Sequence, residues 1–184
     1  MVARLRRYDP RDADAVWTLH EWAIRDAGTD PDAIPGTEDL RGVGSSYLDV
    51  GGEFLVGVDE AERGDETTDD DGPPETFDGS LVAMGGLLPN EAGHADERTV
   101  PGAAELHRMR VAPTHQRRGI GRRLLAALER AAVDRGFEAV LATTARRQTG
   151  AVALYRGAGY EAVGRSREAG YDLVHFQKRL SGPR

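Results

Sequence analysis

The sequence predicts a mixed α/β fold of the α+β kind: one twisted sheet of about six to seven strands flanked by about four helices. Three observations carry this expectation. Residues 104–136 read as a strand, a tight loop and a long helix. A short apolar strand, Ala139–Thr143, follows that helix directly, and a right-handed crossover would set the two strands parallel. The chain has 184 residues and no internal repeat, which is enough for a single domain over 1–184 with one core.

The elements follow in order. Arg4 to Tyr8 reads as a first strand. Asp9-Pro10-Arg11-Asp12 is a helix start, with proline in the first turn and acids near the positive end of the dipole. Ala13, Val16, Trp17, Leu19, His20, Ala23 and Ile24 form a helical stripe ending near Asp26. His20 beside that stripe reads as a partly buried structural histidine, and Trp17 and Trp22 as core or wall residues. Gly28 to Gly36 is a loop rich in Pro, Asp and Gly. A short helix is expected from Thr37 to about Asp49.

Glu53 to Val58 and Ser80 to Leu88 read as two strands. The segment between them, Asp59 to Gly79, carries ten carboxylates against Arg63 alone, together with Pro73-Pro74. It has too few apolar groups to offset its ordering entropy, so an extended, mobile hairpin insertion is expected there. A solvated insertion and an acidic lip that attracts a cationic amine both fit this composition. Pro89 to Gly102 is a second polar loop. A further helix opens at Gln148 or Thr149 and runs through Tyr155. Glu161–Ser166 and Asp172–Leu180 supply the last strands.

The stretch from Arg110 to Leu125 organises the chain. Regular alternation over Ala104–Val111 puts Glu105, His107, Met109 and Val111 on one face and Leu106, Arg108 and Arg110 on the other. Pro113 ends the strand, since it has no N–H for a ladder. Ile120, Leu124, Leu125, Leu128, Ala131 and Ala132 then form a helical stripe, and Gly136 stands where a left-handed cap is wanted. The first N–H groups of this helix have no partner inside it and carry partial positive charge. Gly119 and Gly121 keep side chains away from them, and Arg117, Arg118 and Arg122 add full charges. Two readings fit: a diphosphate site, or a plain strand–turn–helix connection with solvated arginines.

Composition bounds the function. The chain has no cysteine, which excludes disulfides, thiolate metal sites and a cysteine nucleophile and suits an intracellular, cytoplasmic protein. The N-terminus lacks the apolar run of a secretory signal, and no stretch is long and apolar enough for a membrane span. A net charge of -7 disfavours nucleic acid as partner. Abundant Asp and Glu with one lysine, Lys178, also suit a salt-rich cytoplasm, as does arginine use in a GC-rich genome. His94, His115 and His175 show no metal-ligand spacing, so no metal is expected.

Gln116-Arg117-Arg118-Gly119-Ile120-Gly121 matches the Gln/Arg-x-x-Gly-x-Gly/Ala signature of the GNAT superfamily of acetyl-CoA-dependent N-acetyltransferases. Met109-Arg110-Val111-Ala112-Pro113 resembles the hydrophobic-x-Val-x-Pro that precedes it in that family. Ala151-Val152-Ala153-Leu154-Tyr155-Arg156-Gly157-Ala158-Gly159-Tyr160 resembles the family's Ala-x-x-Leu-Tyr-x-x-x-Gly-Phe/Tyr. The likeness is specific from about Ala104 to Leu180.

The resemblance implies acetyl transfer from acetyl-CoA to an amine, with the cofactor in a gap between two splayed parallel strands. It implies that the backbones of Met109, Arg110 and Val111 meet the pantetheine arm. Arg117, Arg118, Gly119, Ile120, Gly121 and Arg122 would hold the diphosphate. Tyr155 matches the tyrosine that protonates the departing thiolate, and Glu105 and His107 are candidate bases for the amine. Gln148 stands where many members have an asparagine that contacts the cofactor. The acceptor is a small-molecule or protein amine. Homodimers are common in that family, though no oligomerisation motif is legible here. An inactive acyl-CoA-binding sensor is the alternative class, and retention of Tyr155 and Glu105 argues against it.

Overall fold

A computed structural model describes residues 3–34, 36–60, 72–92 and 99–181. Among these residues eight strands form one sheet: β1 (Arg4–Arg7), β2 (Glu53–Asp59), β3 (Glu75–Thr76), β4 (Gly79–Pro89), β5 (Ala103–Val111), β6 (Ala139–Ala145), β7 (Glu161–Glu168) and β8 (Tyr171–Arg179). The strand order is β1-β2-β4-β5-β6-β8-β7, with the two-residue β3 paired to β4. β5 and β6 are parallel, as the crossover through the helix between them requires. The other pairs are antiparallel.

Three α-helices flank the sheet: α1 (Ala13–Asp26), α2 (Ile120–Asp134) and α3 (Thr149–Gly157). The helix expected over 37–49 is instead a 3-10 turn, Thr37–Arg41, followed by a π turn, Gly44–Leu48. Gly42 and Gly44 interrupt a segment too short to hold one regular helix. Leu40, Val43 and Tyr47 are nevertheless fully buried, so the segment still covers the sheet. The start of α1 is as the sequence predicts. Asp9 and Asp12 form a reciprocal capping box around Pro10. Gly136 closes α2 with φ +82°. The Phe137 N–H donates to Ala132 O at 3.0 Å in the expected left-handed cap.

The acidic insertion is more structured at its end than its composition suggests. Residues 61–71, which hold most of its carboxylates, lie outside the described residues, as do 93–98 with His94. Its last residues pack down. Glu75 and Thr76 pair with β4. Asp78 accepts from Arg6 Nη2 at 2.7 Å and Arg4 Nη2 at 2.6 Å. Phe77 lies under the guanidinium groups of Arg6 and Arg11, at 4.5 and 3.6 Å. The arginines of β1 hold the Asp78 carboxyl down at about 2, Arg6 contributing most. Arg6 also grips the fully buried Asp12 with two bonds of 2.7 and 2.8 Å. The net charge of the insertion pointed to solvent, but these specific partners lie some seventy residues away in sequence.

Gly85 and Gly86 mark the point where the two faces of the sheet come closest to their helices. A Cβ at Gly85 would stand 2.5 Å from Met109 Sδ and 3.1 Å from Leu128, on the α2 face. A Cβ at Gly86 would stand 2.3 Å from the Tyr47 ring, on the opposite, α1 face. The flexible Met109 end can yield; the buried Tyr47 ring cannot. Gly86→Ala should therefore overpack the α1 face and lower stability by about 1–3 kcal/mol. Urea unfolding reads this as a lower midpoint with an unchanged slope.

Candidate active site

β5 and β6 pair only from Ala103–Leu106 to Ala139–Ala142. Past that point the strands part, while each keeps its outer neighbour: β5 stays paired with β4 to Val111, and β6 with β8 to Ala145. The result is a gap in the middle of the sheet, with α2 and α3 starting beside it. Ala112 N–H donates to Val82 O at 2.8 Å, so Ala112 is turned toward β4. In an antiparallel ladder alternate residues turn the other way. The Val111 N–H and C=O therefore face the gap, and Val111 O is 3.4 Å from Gln116 Nε2. Met109 O also faces away from β4, where it accepts from Arg110 Nη1 at 2.8 Å.

β5 is not a regular strand. Arg108 has φ +55°, and the β4–β5 register shifts between Met84 and Gly86. One extra residue of β5 is accommodated opposite Gly85, which is a β-bulge. This corrects the expected alternation. Met109 and Val111 lie on the α2 face, against Gly85 and Gly121. Arg108 and Arg110 lie on the α1 face with His107, not on the opposite face. A regular two-residue period missed the bulge; the adjacent Gly85-Gly86 in the neighbouring strand is the sequence signal for it.

The bulge is tied down by charge. Arg108 Nε donates to Asp39 Oδ2 at 3.0 Å, and its Nη2 donates to Gly36 O. The Tyr47 hydroxyl donates to the same Asp39 oxygen. Burial, together with Asp39, raises the Tyr47 pKa well above the ordinary tyrosine value, so Tyr47 is a neutral donor. Nothing in the sequence paired Asp39 with Arg108 across the sheet.

Glu105 is buried and accepts from Asn90 Nδ2 at 3.0 Å. Thr143 Oγ1 lies 3.5 Å from Glu105 and 3.1 Å from His175 Nδ1, and His175 Nε2 is 2.9 Å from Ser166 Oγ. A chain of polar groups thus runs from Glu105 across β6 and β8 to β7. His107 is half-buried, edge-on to the Tyr47 ring at 6.4 Å.

Tyr155, on α3, is buried against Tyr160 and Phe176, with ring centroids at 5.5 and 5.6 Å. Burial pushes its pKa up to about 12, and the nearby Arg110 guanidinium pulls it back. Burial, then repulsion from Arg108, pulls Arg110 itself down to about 10.

At the other end of the gap, Gly119 caps α2 with φ +80° and no side-chain hydrogen bond. A Cβ there would meet nothing within 4 Å. At Gly121 a Cβ would meet Val111 and Leu154 at 3.6 and 3.7 Å, ordinary contact distances. Protein packing therefore does not require glycine at 121. Arg117, with φ +63°, Arg118 and Arg122 are exposed, and none pairs with a carboxylate among the described residues. Ile120 is buried and anchors the first turn. Gln148 sits at the N-cap of α3, its side-chain oxygen taken by Thr144 Oγ1 at 2.7 Å. That leaves its amide N–H groups to donate elsewhere. Arg147 spans the α1 side, donating to Thr29 at 2.7 Å and lying 4.6 Å over the Tyr171 ring.

Of the sequence-predicted residues, Gly119–Arg122 stand at the α2 end of the gap and Met109 to Val111 along its edge, whereas Glu105 lies where β5 and β6 are still paired, His107 just past that point, and Tyr155 is buried on α3. Among the described residues no group of three or more His, Cys, Asp or Glu could hold a metal ion, and no helix is long and apolar enough to cross a membrane.

Residues 49–160, more than half of the chain, match the model of the Acetyltransferase (GNAT) family. The chain is 27% identical over 144 residues to N-acetyltransferase family 8 member 2 of Rattus norvegicus; the match covers 78% of this chain and 51% of the relative, so it spans about half the relative's length. A GNAT-family acetyltransferase of Staphylococcus aureus Mu50 superposes with TM-score 0.72 at 15% identity, covering 97% of this chain and 99% of that one. An acetyltransferase of Salmonella typhimurium, solved with its cofactor acetyl-CoA, superposes with TM-score 0.68 at 18% identity, covering 98% and 95%. At these identities the structural likeness is one of fold.

Proposed function

Because the chain belongs to the acetyltransferase (GNAT) family, we propose that it moves the acetyl group of acetyl-CoA to a primary amine by direct attack. The observation that supports this reading is the splayed β5–β6 gap with the start of α2, which has no side-chain cap and carries exposed arginines, at one end. Acetyl-CoA supplies an activated thioester, whose carbonyl carbon accepts the amine and whose sulfur leaves.

The chain's own residues do four things. The N–H groups from Arg117 to Arg122 hold the diphosphate, with the exposed arginines as counter-charge. The gap-facing backbone of Met109 and Val111 pairs with the pantetheine amides as an added strand pairs with a sheet edge. Gln148 supports this with its amide donors. The Val111 N–H polarises the thioester carbonyl. Glu105 takes a proton from the ammonium, directly or through water, so that a neutral nitrogen attacks. His107, on the same face, is the second candidate for that task. Tyr155 gives its hydroxyl proton to the departing sulfur and is reprotonated by the second proton, which the nitrogen sheds once it is bonded to carbon, while the proton on Glu105 passes to solvent.

The Tyr155 step is more demanding than it would be in water. A phenol at about 12 facing a thiol at about 8.5 is uphill by about 5 kcal/mol. Arg110 already lessens that gap, since a cation beside the phenol favours the phenolate and burial alone would raise it further.

The test is release of free thiol from acetyl-CoA in the presence of an amine panel, run on the protein and on Glu105→Gln. The variant should lose about 100-fold in kcat/KM near neutral pH. Its deficit should shrink as pH approaches the amine's own pKa, where less amine needs deprotonation. A deficit that stays constant with pH would make Glu105 a structural carboxylate.

A further inference from the structure

We propose that the amine accepted here carries a carboxylate close to its nitrogen, and that Arg110 receives it. This rests on the acetyl-transfer reading and names its substrate class. Arg110 is a half-buried cation whose Nε is buried with no hydrogen-bond partner among the described residues. Its Nη1 donates to Met109 O at 2.8 Å. Among the described residues no carboxylate forms an ion pair with it, and Asp39 is already shared by Arg108 and Tyr47.

The other groups that face Arg110 do not supply an anion. Arg108 on β5 is a second cation. His20 on α1 is fully buried with neither ring nitrogen hydrogen-bonded. Burial, then Arg110 and Arg108, lowers its pKa to about 4, so it stays neutral and adds no charge of either sign. Tyr155 on α3 and Tyr47 are neutral phenols. A desolvated guanidinium in such surroundings lacks a counter-ion. Its planar fork fits a carboxylate with two parallel hydrogen bonds.

Position supplies the rest. Arg110 stands between Met109 and Val111, the residues whose backbone edges the gap, and its side chain lies on the α1 face with His107. A carboxylate held there would lie near the thioester carbonyl at Val111, which suits an acceptor whose carboxylate is close to its amine, as in an α- or β-amino acid.

The experiment compares matched acceptors: each of the common L-amino acids, its carboxamide, and its decarboxylated amine. Thiol release is measured with each at saturating acetyl-CoA, and acetyl-CoA affinity is measured by calorimetry in parallel. At least one amino acid should exceed its own amide and amine in kcat/KM by about 30-fold or more. Arg110→Met should lower kcat for every acceptor alike, because Tyr155 loses its neighbouring cation, and should reduce the preference itself to within about threefold through KM for the acceptor, while acetyl-CoA affinity changes little. Arg110→Lys should recover part of it, since charge returns without the fork.

Equal use of amides and amines contradicts the proposal and leaves acetyl transfer standing. So does acetyl-CoA binding with no amino acid acetylated, and so does a preference that survives Arg110→Met. Absence of acetyl-CoA binding by the unaltered protein would overturn the acetyl-transfer reading itself.

Discussion

Gly121→Val should abolish acetyl-CoA binding while the fold survives. The first turn of α2 presents backbone N–H groups with no side-chain cap. A diphosphate must approach them closely to accept their hydrogen bonds, and each bond to a charged group contributes about 1.5–3 kcal/mol. Side-chain atoms at 121 would hold it off. Loss of two such bonds lowers affinity by at least about 100-fold. A Cβ at this position meets Val111 and Leu154 at ordinary contact distances, so valine's further methyls press on two side chains that border the gap rather than on backbone. The variant should stay folded by circular dichroism, with a stability loss of about 1–3 kcal/mol at most. Gly119 is the less clean site for this test. Its φ of +80° strains any L residue by about 1–2 kcal/mol, so a binding loss there would mix strain with ligand exclusion.

Tyr155→Phe should lower kcat by about 100-fold and leave acetyl-CoA affinity within about threefold. The hydroxyl acts on the leaving sulfur, a charge that develops only during reaction, so its removal reaches kcat rather than ground-state binding. The pH dependence adds a second reading. A phenol raised to about 12 remains protonated throughout the range in which primary amines lose their protons. The unaltered enzyme's rate should therefore climb with pH as the amine deprotonates, with no descending limb below about pH 11. A descending limb between pH 8 and 10 would mean a donor of ordinary pKa, and an unchanged kcat in Tyr155→Phe would remove the residue from the chemistry.

Much of this site is legible in the sequence because its parts are local. The loop, the apolar stripe of α2 and its Gly136 cap lie within about twenty consecutive residues, where helical spacing and turn chemistry act directly. The parallel β5–β6 pair follows from one helix joining two strands. The bulge at Arg108 was not legible from β5 alone, because a two-residue period assumes a regular strand. One extra residue moved Arg108 and Arg110 to the face of His107, and their two positive charges with them. The glycine pair in β4 is the clue that could have located it. Asp39, Tyr47 and Thr143 were missed for a different reason: each acts through a partner far along the chain, and composition carries no such pairing. The end of the acidic insertion followed suit, with Asp78 and Phe77 held by arginines of β1 and the start of α1.

Calorimetric titration of acetyl-CoA into the protein and into Gly121→Val, at low and high salt, tests the diphosphate cradle directly. The unaltered protein should take up one acetyl-CoA per chain, more weakly at high salt because charge contributes, and the variant should show no measurable binding. Equal binding by both proteins, or none by the unaltered protein in either salt, would contradict the assignment of the β5–α2 loop as the diphosphate cradle.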